Sequence, residues 1–221
     1  MRNICLLTTI MMIAIGQPLF ASMTATVIPV GTFSKAKLDG WKEILQTGDS
    51  QFSLVTDEKM MVIKANSKNN SSIYYKEIEV SLIDTPVLNW SWKLTHPIFN
   101  NQKEQTEEGN DFAAQIYIFH EKGLMSWSNN TNLSYVWAST KAPGTSWENP
   151  SDGSNQIVAV QSGIEKQNTW VSEKRDVRTD YLDLFDSNID HITGIAIVIN
   201  TNNTQTEKAA SLYGDIYFSA D

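Results

Sequence analysis

The sequence predicts an all-β chain folded as an antiparallel sandwich with one short helix near residues 176–185. Three observations lead there. Short β-branched and aromatic runs recur along the chain with turn residues between them. Several runs alternate apolar with polar residues, as a half-buried strand requires. Only one stretch carries helical spacing. The frame is adequate: 221 residues, 41% apolar and 10% aromatic, enclose a core without disulfide or metal staples.

Taken in order, Phe52–Thr56 and Met60–Ala65 flank Asp57-Glu58-Lys59 as a hairpin. Ile73–Val80 is rich in β-formers. Pro86–Leu94 sets Trp90 and Trp92 on one face, and Asn89, Ser91 and Lys93 on the other. Phe112–His120, Leu133–Ser139, Gln156–Ser162 and Thr169–Glu173 follow, and Ile192–Ile199 and Ser211–Phe218 close the series. About ten strands separated by turns point to a sandwich. From Asp176 to Phe185, Val177, Tyr181, Leu184 and Phe185 recur at helical spacing behind Asp176 as N-cap. Three loops are long and polar: 100–110, 141–155 and 201–208.

The N-terminus reads as a secretory signal over residues 1–21. Arg2 is its positive start, Ile4–Ile15 its apolar stretch, and Ala21 the small residue at the cleavage point. Processing there leaves 200 residues at net −9 and removes Cys5, the lone cysteine. The expectation is a periplasmic or secreted domain over 22–221, free of misoxidisable thiols. No later apolar run approaches the ~18 residues of a membrane span. The acidic balance, 17 basic against 25 acidic residues, argues against gripping a nucleic-acid backbone.

Conventional catalytic signatures are missing. His96, His120 and His191 stand apart and form no zinc pair, no Gly-x-Ser-x-Gly elbow occurs, and no phosphate-cradling glycine loop is present. A carboxylate pair for glycoside hydrolysis is not readable from sequence separation; Asp111 and Glu173 are the candidates. Among the seven tryptophans, Trp90, Trp92 and Trp137 read as core. Trp127 and Trp147 sit in polar loops and are candidates for stacking on a sugar ring. Gln115 and Tyr117 are candidates to line an outer, ligand-binding sheet face, given alternation along Phe112–His120, with a plain solvated strand face as the alternative. Arg175, in Glu173-Lys-Arg-Asp176, is a candidate for bidentate capture of an anionic group, with a salt-bridged corner as the alternative.

Several stretches together form a pattern: Thr85-Pro-Val-Leu-Asn-Trp-Ser-Trp-Lys93, Gly109-Asn-Asp-Phe-Ala-Ala-Gln-Ile-Tyr117, Leu133-Ser-Tyr-Val-Trp137, Glu173-Lys-Arg-Asp-Val177, Asn200-Thr-Asn-Asn-Thr204 and Tyr213-Gly-Asp-Ile-Tyr-Phe218. In this order they resemble the bacterial exported family called Domain of Unknown Function 3047. Phe33–Trp41 and Gly214–Phe218 also resemble the opening and closing strands of galactose-binding-like domains. The resemblance implies a jelly-roll sandwich related to carbohydrate-binding modules, and it carries no reaction. It also raises a structural calcium at Asp215, with Asp39 nearby; a hydrogen bond from Asp215 to the first loop is the alternative. Against the family pattern as read here, Asn110, Gln115, Asn200 and Asn202 stand where Asp, Arg, Asp and Asp are usual. Amides keep hydrogen-bonding capacity but not carboxylate chemistry, so Asn200 and Asn202 join the ligand-binding candidates, with a harmless swap within a buried polar network as the alternative.

The expectation is therefore an exported sandwich, leaning non-catalytic, that binds a carbohydrate or similar envelope ligand. The alternatives are a polysaccharide-acting hydrolase or lyase, and a structural envelope protein that docks a protein partner.

Overall fold

The computed structural model describes residues 26–47, 51–99, 101–120, 131–204 and 208–221. The expected signal over 1–21 and Trp127 lie outside the described residues. In chain order the elements are β1 (Val27–Gly31), β2 (Trp41–Thr47), β3 (Gln51–Asp57), β4 (Met60–Ser67), β5 (Ser71–Ser81), β6 (Val87–His96), β7 (Gln115–Phe119), β8 (Asn132–Ala138), β9 (Ser146–Asn149), β10 (Asp152–Ser162), β11 (Val171–Asp176), α1 (Val177–Phe185), β12 (His191–Asn200) and β13 (Ala209–Ser219).

Two sheets face each other. One has the order β11-β6-β13-β4-β3, with β1 also paired to β13; the other runs β2-β5-β12-β7-β8-β10-β9. The fold is an all-β, jelly-roll-like sandwich with one short helix. Pairing is antiparallel except between β8 and β10, which run parallel. Among the described residues no helix is long and apolar enough to cross a membrane.

Alternation along the strands builds the core. Trp90 and Trp92 both point inward, at 2% and 0% exposure. Trp90 stacks on Tyr135 of the opposite sheet with centroids 5.5 Å apart, and Trp92 meets Trp137 at 5.8 Å. Tyr213 of β13 also crosses the interior, where its hydroxyl accepts a 2.9 Å hydrogen bond from the Gln115 backbone N–H and so fixes the start of β7. On the other face of β6, Lys93 is buried, because Asp57 and Glu58 pair with its ammonium and the Trp170 ring covers it.

The β3–β4 turn is Glu58-Lys59, both left-handed at φ 48° and 72°, which is the backbone of a two-residue primed turn. Asp176 caps α1 as expected: its carboxylate accepts from the Thr179 N–H at 2.9 Å.

Three local expectations are corrected. The opening strand is Val27–Gly31, not Phe33–Trp41. Phe33 folds back so closely that a Cβ on Gly31 would lie 2.6 Å from its ring, and the chain makes a short 3-10 turn at Phe33–Lys35 before β2. The loop 141–155 contains β9 and the start of β10. Its polar residues hid an edge strand in which Trp147 is the one buried position. Gln115 and Tyr117 do not lie on a solvated face, since every residue of β7 and β8 is buried. The outer face of the seven-stranded sheet carries its own apolar cluster of Ile73, Tyr75, Tyr117, Phe119, Ala196 and Val198.

Candidate functional site

A concavity of about 290 Å³ opens over this second cluster. Ile73 from β5, Tyr117 from β7, Val198 from β12 and Phe112 form its apolar floor. Amides form its walls: Gln115 and Asn155 from strands, Asn149 from the end of β9, Asn110 from the preceding loop, and Asn200, Asn202 and Asn203 from the end of β12 and the turn after it. Among the described residues Asp152 is its one carboxylate, and no Lys, Arg or His lines it. The Tyr117 hydroxyl is pushed well above its ordinary pKa by burial, with Asp152 adding to the effect, so it is a neutral phenol.

Hydrogen bonds stitch the wall together. The Asn200 side chain accepts from the Phe112 N–H at 2.9 Å and donates to the Asn110 carbonyl at 2.6 Å. Asn203 Nδ2 donates to the Glu107 carbonyl, and Asn110 Nδ2 donates to Asn149 Oδ1. Asp111, nearly fully buried, accepts from the Thr204 N–H and hydroxyl at 2.6 and 2.7 Å and thereby holds the 201–204 turn. Its Oδ1 has no partner among the described residues. Gly109 lets this loop close, because a Cβ there would sit 2.2 Å from the Lys103 carbonyl oxygen.

One buried acid fastens the same loop from behind. Glu104 is fully buried, and no cation pairs with it among the described residues. Its carboxylate accepts from the Ser139, Thr140 and Lys141 N–H groups and from the Thr140 hydroxyl, at 2.6–2.9 Å. Nothing in its sequence neighbourhood, Lys103-Glu-Gln-Thr-Glu-Glu108, marks it apart from a solvated charge run.

A second, larger groove of about 440 Å³ lies on the six-stranded sheet, lined by Met60, Met61, Val62, Asn89, Ser91 and Tyr217 among others. Glu173 and Asp215 are among its lining residues, and both carboxylates are already engaged. Glu173 accepts from Trp92 Nε1 at 3.2 Å, and burial holds its carboxyl above the usual range. Asp215 accepts from the Ser34 N–H and hydroxyl at 2.8 and 2.5 Å, tying β13 to the first turn.

The structure thus gathers Gln115, Tyr117, Asn200 and Asn202 on one concavity, and Asn110 with them. The four positions that depart from the family pattern, 110, 115, 200 and 202, all line it. The other candidates lie elsewhere. Trp147 packs behind Phe112, with centroids 6.3 Å apart, inside a small apolar cluster. Arg175 is a structural corner: its guanidinium forks onto Asp180, which also accepts the Tyr135 hydroxyl at 2.6 Å. Asp111 and Glu173 line different recesses and do not form the carboxylate pair a glycosidase needs. Asp39 lines a third recess beside Lys37 and Lys76, apart from Asp215. The two acids therefore do not converge, and no group of three or more His, Cys, Asp or Glu suited to a metal occurs among the described residues. Sequence reasoning missed Asn149, Asp152, Asn155 and Asn203. The Asn- and Ser-rich run 149–155 was the available signal.

Comparison with known proteins adds the following. No curated protein matches the sequence significantly. Among solved structures, the xyloglucanase domain of NopAA, a type three effector from Sinorhizobium fredii in complex with cellobiose, is 11% identical. That match covers 83% of this chain and 95% of that one, with a TM-score of 0.44. A cellulase derived from Cel12A of Rhodothermus marinus is 9% identical over 87% of this chain and 99% of that one, at 0.47. Endoglucanase 3 of Trichoderma harzianum is 9% identical over 88% and 93%, at 0.42. Likeness at this level carries no functional weight. A family model matches residues 39–217, and the chain belongs to the family described as protein of unknown function, DUF3047.

Proposed function

We propose that this chain is an exported β-sandwich that binds a carbohydrate or similarly hydroxylated ligand in the concavity of the seven-stranded sheet. One observation carries the reading: amide side chains converge from four strands and two loops over a floor of Tyr117, Phe112, Ile73 and Val198. Ligand sites combine an apolar floor with a few placed polar groups. Sugars present both features, a ring face for the floor and hydroxyls for the amides. Export is supported by the N-terminal segment, with Arg2, the Ile4–Ile15 stretch and Ala21.

The experiment is a glycan array read with the 22–221 chain, repeated with Gln115→Ala and Asn202→Ala. Binding to envelope or plant oligosaccharides that both substitutions weaken supports the proposal. Binding to no glycan, or binding that neither substitution changes, overturns it.

A further inference from the structure

The chemistry of this wall also specifies the charge of its ligand. Resting on the saccharide reading above, we infer that the concavity selects uncharged, hydroxyl-rich sugars over uronate-bearing or sulfated ones.

An anionic sugar needs a cation or a set of converging N–H donors. Among the described residues, the lining residues include no Lys, Arg or His. Their one carboxylate, Asp152, is an acceptor whose oxygens are taken: Oδ1 by the Ser154 N–H and hydroxyl, Oδ2 by Asn155 Nδ2 at 2.7 Å. Its charge repels a second carboxylate and gives an anion nothing to pair with. The wider chain, at net −8, adds no compensating positive field.

The amide groups left open are of both polarities. Gln115 Nε2 donates to Ser134 Oγ, which leaves Oε1 as an acceptor with no partner among the described residues. Asn149 uses Oδ1 for Asn110 and Ser151, which leaves Nδ2 as a donor. Asn202 Nδ2 donates to Asn203, which leaves Oδ1 as an acceptor. A hydroxyl both donates and accepts, so it satisfies each of these groups. A carboxylate or sulfate only accepts. It would set its oxygens against those of Gln115 and Asn202; Gln115 is buried, and an unpaired buried polar group is costly, while Asn202 stands at the exposed rim.

The test is calorimetric titration of the 22–221 chain with matched neutral gluco- or xylo-oligosaccharides and with oligogalacturonate and sulfated oligosaccharides, at low and moderate salt. A parallel series uses Asn202→Lys, an exposed rim position that tolerates a longer side chain. The expected result is neutral binding at least about tenfold tighter than acidic binding and insensitive to salt, with the Asn202→Lys chain narrowing the gap by raising acidic affinity. Acidic sugars binding as tightly as neutral ones, with salt dependence, overturn the selectivity and leave the saccharide reading standing. Binding of none of these probes overturns both.

Discussion

Glu104 offers a sharp test of how the site is held. Replacing it with Ala removes an acceptor that serves three backbone N–H groups and one hydroxyl, and the loop it fastens runs directly into Asn110 and Asp111. Charge-assisted hydrogen bonds contribute about 1.5–3 kcal/mol each when lost singly. The four do not add, because the 139–141 backbone is only part-buried and the freed loop can lift and admit water. Glu104→Ala strands neutral, part-buried donors rather than a charge, and about 3 kcal/mol is the expectation. Glu104→Gln keeps an oxygen for Thr140 and Lys141 but turns an NH₂ toward the Ser139 N–H, so about 2 kcal/mol is expected. Urea denaturation at equilibrium gives the stabilities, and hydrogen exchange at the 139–141 amides reports whether those donors become exposed. A loss below about 1 kcal/mol for Glu104→Ala, with unchanged exchange, would refute the claim that this carboxylate anchors the loop.

Four further outcomes follow from the packing. Burial raises the Glu173 carboxyl, so its charge opposes folding at neutral pH and is relieved as pH falls toward the ordinary carboxylate range; Glu173→Gln keeps an acceptor for Trp92, and its chemical-denaturation midpoint at pH 7 should rise, with that advantage shrinking on acidification. Asp57 has the opposite sign: its hydrogen bond to Lys93 depresses the carboxyl, so this contribution is present at neutral pH and is lost as pH falls below the unfolded carboxylate value. Comparing wild type with Asp57→Asn by denaturation between pH 7 and 3 should show the difference fading with acid. Lys59→Gly relieves a left-handed side-chain conformation in the β3–β4 turn and should stabilise by about 0.5–1 kcal/mol in the same assay. Asp180→Asn breaks the fork to Arg175 and weakens the bond from the Tyr135 hydroxyl; with Arg175 partly open to solvent, the expected loss is about 2–4 kcal/mol.

Much of the architecture was written in local pattern. Trp90 and Trp92, two apart on a run with polar alternates, fall in the core because a strand returns to the same face every second residue. Asp176 caps α1 because its side chain reaches the third N–H beyond it, which spacing alone conveys. Other features depend on partners distant in sequence. The face of β7 bearing Gln115 and Tyr117 is buried because β12 and, beyond it, β5 contribute apolar neighbours on that face, which alternation within β7 could not reveal. Trp147 appeared to stand in a loop because an edge strand of four residues needs only one buried position. Asp215 resembled a cation ligand, and the distinction from a cap on Ser34 rests on a contact between opposite ends of the chain.

The candidate site divides in the same way. Asn110, Gln115, Asn200 and Asn202 stood out as amides at positions where the resembled family carries charge, and the topology brings them to one wall. Asn149, Asp152 and Asn155 came unmarked, since an Asn- and Ser-rich run reads as loop until the β9–β10 hairpin, paired to β8, brings it to the concavity that β7 and β12 also line. Arg175 illustrates the reverse. Its fork geometry was legible, but Asp180, one helical turn into α1, claims it.

The most direct measurement of the central claim is an amide-resolved NMR titration of the 22–221 chain with a neutral oligosaccharide identified by the array. Saturable shifts concentrated at Gln115, Tyr117, Asn149, Asn155, Asn200 and Asn202 are expected. Shifts confined to Met60–Val62, Asn89 and Tyr217, in the groove on the six-stranded sheet, would contradict it, as would a spectrum that no saccharide perturbs.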